Sequence, residues 1–125
     1  MENSTLISIE ALKKHFLTAG GRFTALNGID LTIGKGEFTG VVGPSGSGKT
    51  TLLNIIGSLD SPSEGRAVVL GQSIAGLNPK QAALLRRSHL GFIFQSYNLL
   101  PRTIAVANVE LPLIYVGLLP VDRWE

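Results

Sequence analysis

The stretch Gly43-Pro44-Ser45-Gly46-Ser47-Gly48-Lys49-Thr50 constrains this chain more than any other feature. It matches the pattern G-x-x-x-x-G-K-[ST] in full. Such a run is not regular structure, because its glycines favour backbone conformations that helices and strands do not use. Its surroundings give it meaning. Residues 38–42 are short, apolar and bounded by glycines, which fits a buried strand. From Lys49 onward, Leu52, Leu53, Ile55, Ile56 and Leu59 recur at helix-face spacing. A strand, a glycine loop and an amphipathic helix in that order make a cradle for a polyphosphate. Backbone N–H groups freed of side chains wrap the anion. The helix start adds its own unpaired N–H groups and the positive end of its dipole. Lys49 supplies a full positive charge near the β- and γ-phosphates, and the Thr50 hydroxyl is placed to ligate Mg2+. A flexible glycine linker is the bland alternative, and the flanking strand and helix argue against it.

Composition removes several other chemistries. The chain has 125 residues, which suggests one domain or less. There is no Cys, so disulfide scaffolds, thiolate metal sites and cysteine nucleophiles are excluded. Two histidines make a multi-histidine metal site a poor fit. Charged residues are 16%, well short of the ~25% of an average soluble domain, so this is not a disordered polyelectrolyte. The net charge of +2 makes no nucleic-acid stripe, so no nucleic-acid partner is expected. The basic pairs Lys13-Lys14 and Arg86-Arg87 read as solvated surface.

The N-terminal Met1-Glu2-Asn3-Ser4 lacks the basic-then-apolar pattern of a signal peptide. Residues 111–121 form the longest apolar candidate, but Pro112, Gly117 and Pro120 break it well short of the ~18 residues of a membrane helix. The chain therefore reads as soluble and cytoplasmic, reaching a membrane only through a partner.

The remaining elements follow from pattern. Residues 6–9 alternate weakly, and residues 23–33 carry Leu26, Ile29, Leu31 and Ile33 with Gly28 as a bulge. Gly34-Lys35-Gly36 signals a turn that would form a hairpin between the latter strand and residues 38–42. Gly57 and the cluster Asp60-Ser61-Pro62-Ser63 end the helix that begins at Lys49. Residues 67–70 and 91–94 read as further strands. Between them Asn78-Pro79 starts a helix, with Asn as cap, that runs to about Arg87. Its terminal arginines suit the negative end of the dipole. Thr103 caps a last helix to about Glu110, since Pro112 discourages continuation. The order of strands and helices gives an α/β class.

Several of these segments resemble a known family. Gly43 to Thr51 with Leu52-Leu53-Asn54-Ile55-Ile56-Gly57-Ser58-Leu59-Asp60 resembles the nucleotide-binding subunit of an ABC transporter. So do Gly91-Phe92-Ile93-Phe94-Gln95, Asn98-Leu99-Leu100-Pro101 and Asn108-Val109-Glu110-Leu111-Pro112-Leu113. The macrolide-export and lipoprotein-release class is the most similar, also through Ile114-Tyr115-Val116-Gly117-Leu118. The resemblance implies an incomplete P-loop NTPase fold of ABC type with an N-terminal antiparallel β subdomain. It implies ATP and Mg2+ as cofactors, bound through Gly43, Pro44, Ser45, Gly46, Ser47, Gly48, Lys49, Thr50 and Thr51. It makes Gln95 a second Mg2+ ligand beside Thr50, suited by its hard amide oxygen. It places Phe16 where the family stacks an aromatic on adenine. The family's usual residue there is Tyr, but stacking needs only a π-face. A packed core Phe is the structural alternative. The implied partners are a membrane-spanning transporter subunit and a second ATP-binding subunit, at the inner face of the cell membrane.

The sequence also departs from the family. After the Gln95 segment, Thr103-Ile104-Ala105-Val106-Ala107-Asn108-Val109 shifts the family's Thr by one place and puts Ala107 where a Glu is usual. No LSGGQ-type signature, no Walker B strand ending in Asp-Glu and no switch His occurs, so residues 1–125 read as the N-terminal portion of an ATP-binding domain. No catalytic residue is assigned. Binding needs the loop, Lys49 and Mg2+; hydrolysis also needs a positioned water and transition-state charge stabilisation, each worth orders of magnitude in rate. The resemblance also implies that later strands lie between residues 38–42 and 91–94. Without them both segments would show unpaired edges and bare apolar faces. Two readings stand: a truncated transporter ATPase subunit, or a stand-alone nucleotide-binding fragment without turnover. A small kinase would need a lid and an acceptor site, and no residues suggest them. His15 and His89 read as surface or helix-end residues, and the tail with Trp124 carries no assignment.

Overall fold

A computed structural model describes residues 5–118. Met1 to Ser4 and the tail that contains Trp124 lie outside the described residues. The chain divides into two compact units, Met1–Ala83 and Leu84–Glu125.

The first unit is built on an antiparallel sheet. Strand β1 (Thr5–Thr18) turns at Ala19-Gly20 into β2 (Gly21–Gly34), and the sheet order is β2-β1-β3-β4. Strands β3 (Glu64–Val69) and β4 (Gln72–Ser73) follow helix α1 (Lys49–Ile56) in the chain. A short 3-10 turn, Ile74–Gly76, comes after β4. The sheet is the expected N-terminal antiparallel subdomain. Its hairpin differs from expectation, because β2 pairs with β1 rather than with residues 38–42. Strand β1 is also longer than its apolar pattern at 6–9 suggests. Lys13, Lys14 and His15 hide the alternation, yet each finds a partner: Lys13 with Glu64 at 3.0 Å, Lys14 with Asp60 at 2.6 Å and His15 with Glu64 at 3.2 Å. Lys14 is thus tied into the fold, with its side chain 12% exposed, while Lys13 makes its ion pair at the surface, as expected.

Gly28 is a bulge, as its position suggests: Leu12 faces Ile29 and Lys13 faces Asn27, with Gly28 (φ +77) skipped. A second irregularity lies at Ala11, whose φ of +46 is unusual for a residue with a side chain. The Asp30 carboxylate holds it, accepting the Ala11 N–H at 2.7 Å. Gly65 (φ +81) closes over this kink, and a Cβ there would meet the Glu10 carbonyl oxygen at 2.7 Å. Ile9, Leu12, Leu26, Leu52, Ile55, Ala67, Val69 and Ile74 form the core. Helix α1 packs on β2 and β3 and ends at Gly57, whose N–H is accepted by the Leu53 carbonyl at 2.8 Å.

Helix α2 (Pro79–His89) begins as its sequence predicts. Asn78 and Gln81 exchange side chain-to-backbone bonds, each at 2.9 Å, which is a capping box. Arg86, Arg87 and His89 occupy its last turn.

The segments 38–42 and 91–94 are not strands. Both are largely exposed, with Phe38, Val42 and Ile93 almost wholly open to solvent. A strand exists through hydrogen bonds to a neighbour, and no described segment pairs with either one. Apolar composition alone does not make a strand. Helix α3 (Ala105–Tyr115) also departs from expectation. It starts after Thr103, with Ile104 at the cap position, and it continues through Pro112. The Thr103 hydroxyl donates to the Pro101 carbonyl instead of capping. Asn108 ties the start of this helix: its amide donates to the Thr103 and Ile104 carbonyls and its oxygen accepts the Leu100 N–H. Pro112 removes one helical donor, and the turn beyond still closes through Val116 N–H to the Pro112 carbonyl. Among the described residues, no helix is long and apolar enough to cross a membrane.

Candidate functional site

Residues 43–48 form a loop closed by one turn, in which the Ser47 N–H donates to the Pro44 carbonyl at 3.3 Å. Gly46 has φ +81 and open space where a Cβ would stand, so its backbone faces the exterior bare. Gly48 caps α1 in the left-handed region, at φ 92 and ψ 4. It is also sterically locked: a Cβ would lie 2.6 Å from the Ala25 carbonyl oxygen and 2.8 Å from Leu26. The glycine therefore lets the loop lie directly on β2, and that contact fixes where α1 begins.

Helix α1 takes its first intrahelical bond at the Leu52 N–H, accepted by the Gly48 carbonyl at 2.9 Å. The N–H groups of Lys49, Thr50 and Thr51 precede it and have no acceptor within the helix. The first turn carries no acidic residue. Nothing there competes with an external anion. The Lys49 ammonium reaches back over the loop. It donates to the Gly43 carbonyl at 2.8 Å and the Pro44 carbonyl at 2.6 Å, with the Ser47 hydroxyl at 3.4 Å. Its charge is thus held over the loop mouth.

A cleft of about 510 Å3 opens on this loop, lined by Ser45, Gly46, Gly48, Lys49, Thr50 and Thr51. Its opposite wall comes from the hairpin, through Phe16, Phe23 and Ala25. Phe16 is 38% exposed, so it is not a core residue, and the Lys14 ammonium lies 5.1 Å from its ring centroid. Lys14 is pinned there by Asp60 and by the Ser61 carbonyl, to which it donates at 2.7 Å. Phe23 belongs to no motif, and Lys14 reads in the sequence only as half of a solvated basic pair, so neither is marked there as part of a cleft. Gln95 lies in the second unit, on an exposed turn after residues 91–94. Phe92 and Phe94 stack there, with centroids 5.6 Å apart.

The sheet also carries a polar cluster. Glu64 meets Lys13, His15 and Arg22, and the His15 ring also bonds the Thr24 hydroxyl at 3.1 Å. His15 is therefore a bound residue rather than a plain surface one. The Lys13 ammonium first, and His15 second, hold the Glu64 carboxyl below the usual carboxylate range.

The family model described as ABC transporter matches residues 26–123. The chain belongs to the ABC transporter family. Among curated relatives, the macrolide export ATP-binding/permease protein MacB of Vibrio parahaemolyticus is 47% identical over 98% of this chain and 19% of its own length. MacB 1 of Aeromonas hydrophila is 50% identical over 90% of this chain and 17% of its own length. The chain thus spans about a fifth of the length of such relatives. Among solved structures, the ATP-binding cassette MJ0796 in a dimeric post-hydrolysis state, bound to ADP and Pi, is 38% identical with a TM-score of 0.87. That likeness covers 94% of this chain and 52% of the other. The chain is accordingly MacB-like sequence from the nucleotide-binding domain of an ABC transporter.

Proposed function

We propose that the cleft between the glycine loop and the β1–β2 hairpin binds Mg-ATP, and that binding there drives a membrane-spanning partner in export. The observation that carries this reading is the loop itself. Gly46 bare to solvent, Gly48 locked against Ala25, free N–H groups of the first turn of α1 and the Lys49 ammonium all converge on one opening. Each group suits a polyanion, and together they suit several adjacent phosphates. Lys49 leaves the loop carbonyls for the β- and γ-phosphates when nucleotide enters. Phe16 offers its ring to the base. The Thr50 hydroxyl would hold Mg2+, which would neutralise charge on the phosphates.

Turnover needs more than these residues. The sequence holds no signature motif, Walker B carboxylates or switch His, so the chain alone binds nucleotide without hydrolysing it. In the working transporter those groups come from further ATP-binding sequence and a second ATP-binding subunit. A permease holds the unit at the cytoplasmic face of the membrane and selects the cargo. Equilibrium dialysis of the chain with labelled ATP, run beside a phosphate-release assay, tests this. Saturable Mg-ATP binding without phosphate release is the expected result, with affinity in Lys49→Ala weakened about tenfold or more. Equal binding by both proteins contradicts it.

A further inference from the structure

We propose that Phe23 is a second aromatic contact for the base of the nucleotide, beside Phe16. This rests on the reading of the cleft as a nucleotide site. Phe16 and Phe23 are directly opposite each other across the hairpin. Paired residues of an antiparallel ladder project from the same face. Both line the cleft that also holds the glycine loop. Phe23 is 54% exposed, so a large apolar ring is kept in water where packing does not require it.

The rest of the wall gives this ring a purpose. Ala25, two residues along β2 from Phe23, also lines the cleft. Its small side chain separates an aromatic end from a phosphate-binding end. A nucleoside polyphosphate has the same polarity, with a flat ring at one end and charge at the other. One face of the Phe16 ring is already covered by the Lys14 ammonium. Phe16 thus offers a single open face, and Phe23 extends the apolar surface next to it. A contact of this kind reads ring size rather than hydrogen-bonding groups, so it favours purines over pyrimidines.

Calorimetric titration of the full chain with Mg-ATP, and separately with inorganic tripolyphosphate, separates the two ends. Tripolyphosphate has no base and reports on the loop alone. Phe23→Ala is expected to weaken ATP binding roughly tenfold, in keeping with base–aromatic stacking, and to leave tripolyphosphate binding unchanged. Phe23→Tyr, which keeps the ring, is expected to bind ATP as the parent chain does. ATP affinity unaltered in Phe23→Ala overturns the proposal while leaving the nucleotide site intact. Equal losses for both ligands also overturn it, since that pattern marks a disturbed fold. A parent chain that binds neither ligand removes the cleft reading itself.

Discussion

The two units of the chain use similar apolar residues to different effect. In Met1–Ala83 the hairpin, β3 and α1 close around Leu12, Ile55 and Ala67, each at 0% exposure. In the second unit, Leu85 is buried but helix α3 buries no residue at all. Val106, Val109, Ile114 and Tyr115 all stand open on that helix. Hydrophobic content therefore does not locate the core. A core forms where strands find partners and a helix covers the sheet they make. The glycine loop sits on the packed part, with Gly48 pressed on Ala25, and this gives the candidate site a rigid base.

The sharpest way to break this contrast is to truncate one residue on each side. Ile55→Ala leaves a cavity beneath α1 and is expected to cost roughly 2–5 kcal/mol. Val109→Ala, at a position 66% exposed, is expected to stay within about 0.5 kcal/mol. Urea unfolding followed by circular dichroism measures both, and equal losses would erase the distinction. A smaller effect is expected at Asn78, where the cap of α2 depends on local bonds rather than on core packing. Asn78→Ala is expected to cost about 1 kcal/mol in the same experiment. No change would mean that packing alone sets the start of α2.

The smallest effect concerns the exposed Glu64 cluster. The folded pKa of Glu64 is depressed, first by the bond from Lys13 and then by that from His15. Its contribution is therefore present above the unfolded carboxylate value of about 4.3 and is lost as pH falls through the lower folded value. Glu64→Gln is expected to flatten the acid side of a plot of melting temperature against pH. An unchanged acid limb would show that Glu64 contributes nothing there.

The site was more legible in the sequence than the frame that carries it. The glycine loop, the start of α1 and the Asn78 cap are set by residues close together in the chain. Residue type and spacing are enough to place them. Strand pairing depends on residues far apart. The ion partners of Lys13, Lys14 and His15 lie at Asp60 and Glu64, so nothing near them marks β1 as continuing to Thr18. Residues 38–42 and 91–94 have the composition of strands and lack described neighbours. Phe23 carries no motif, and its place in the cleft follows only from the register of the hairpin.

The account turns on the loop as the place where phosphates bind. Hydrogen exchange of the backbone amides at residues 45–51, with and without Mg-ATP, tests it most directly. The account predicts that nucleotide slows exchange in this segment and that Lys49→Ala greatly reduces the protection. Exchange in residues 45–51 that is indifferent to Mg-ATP would contradict it.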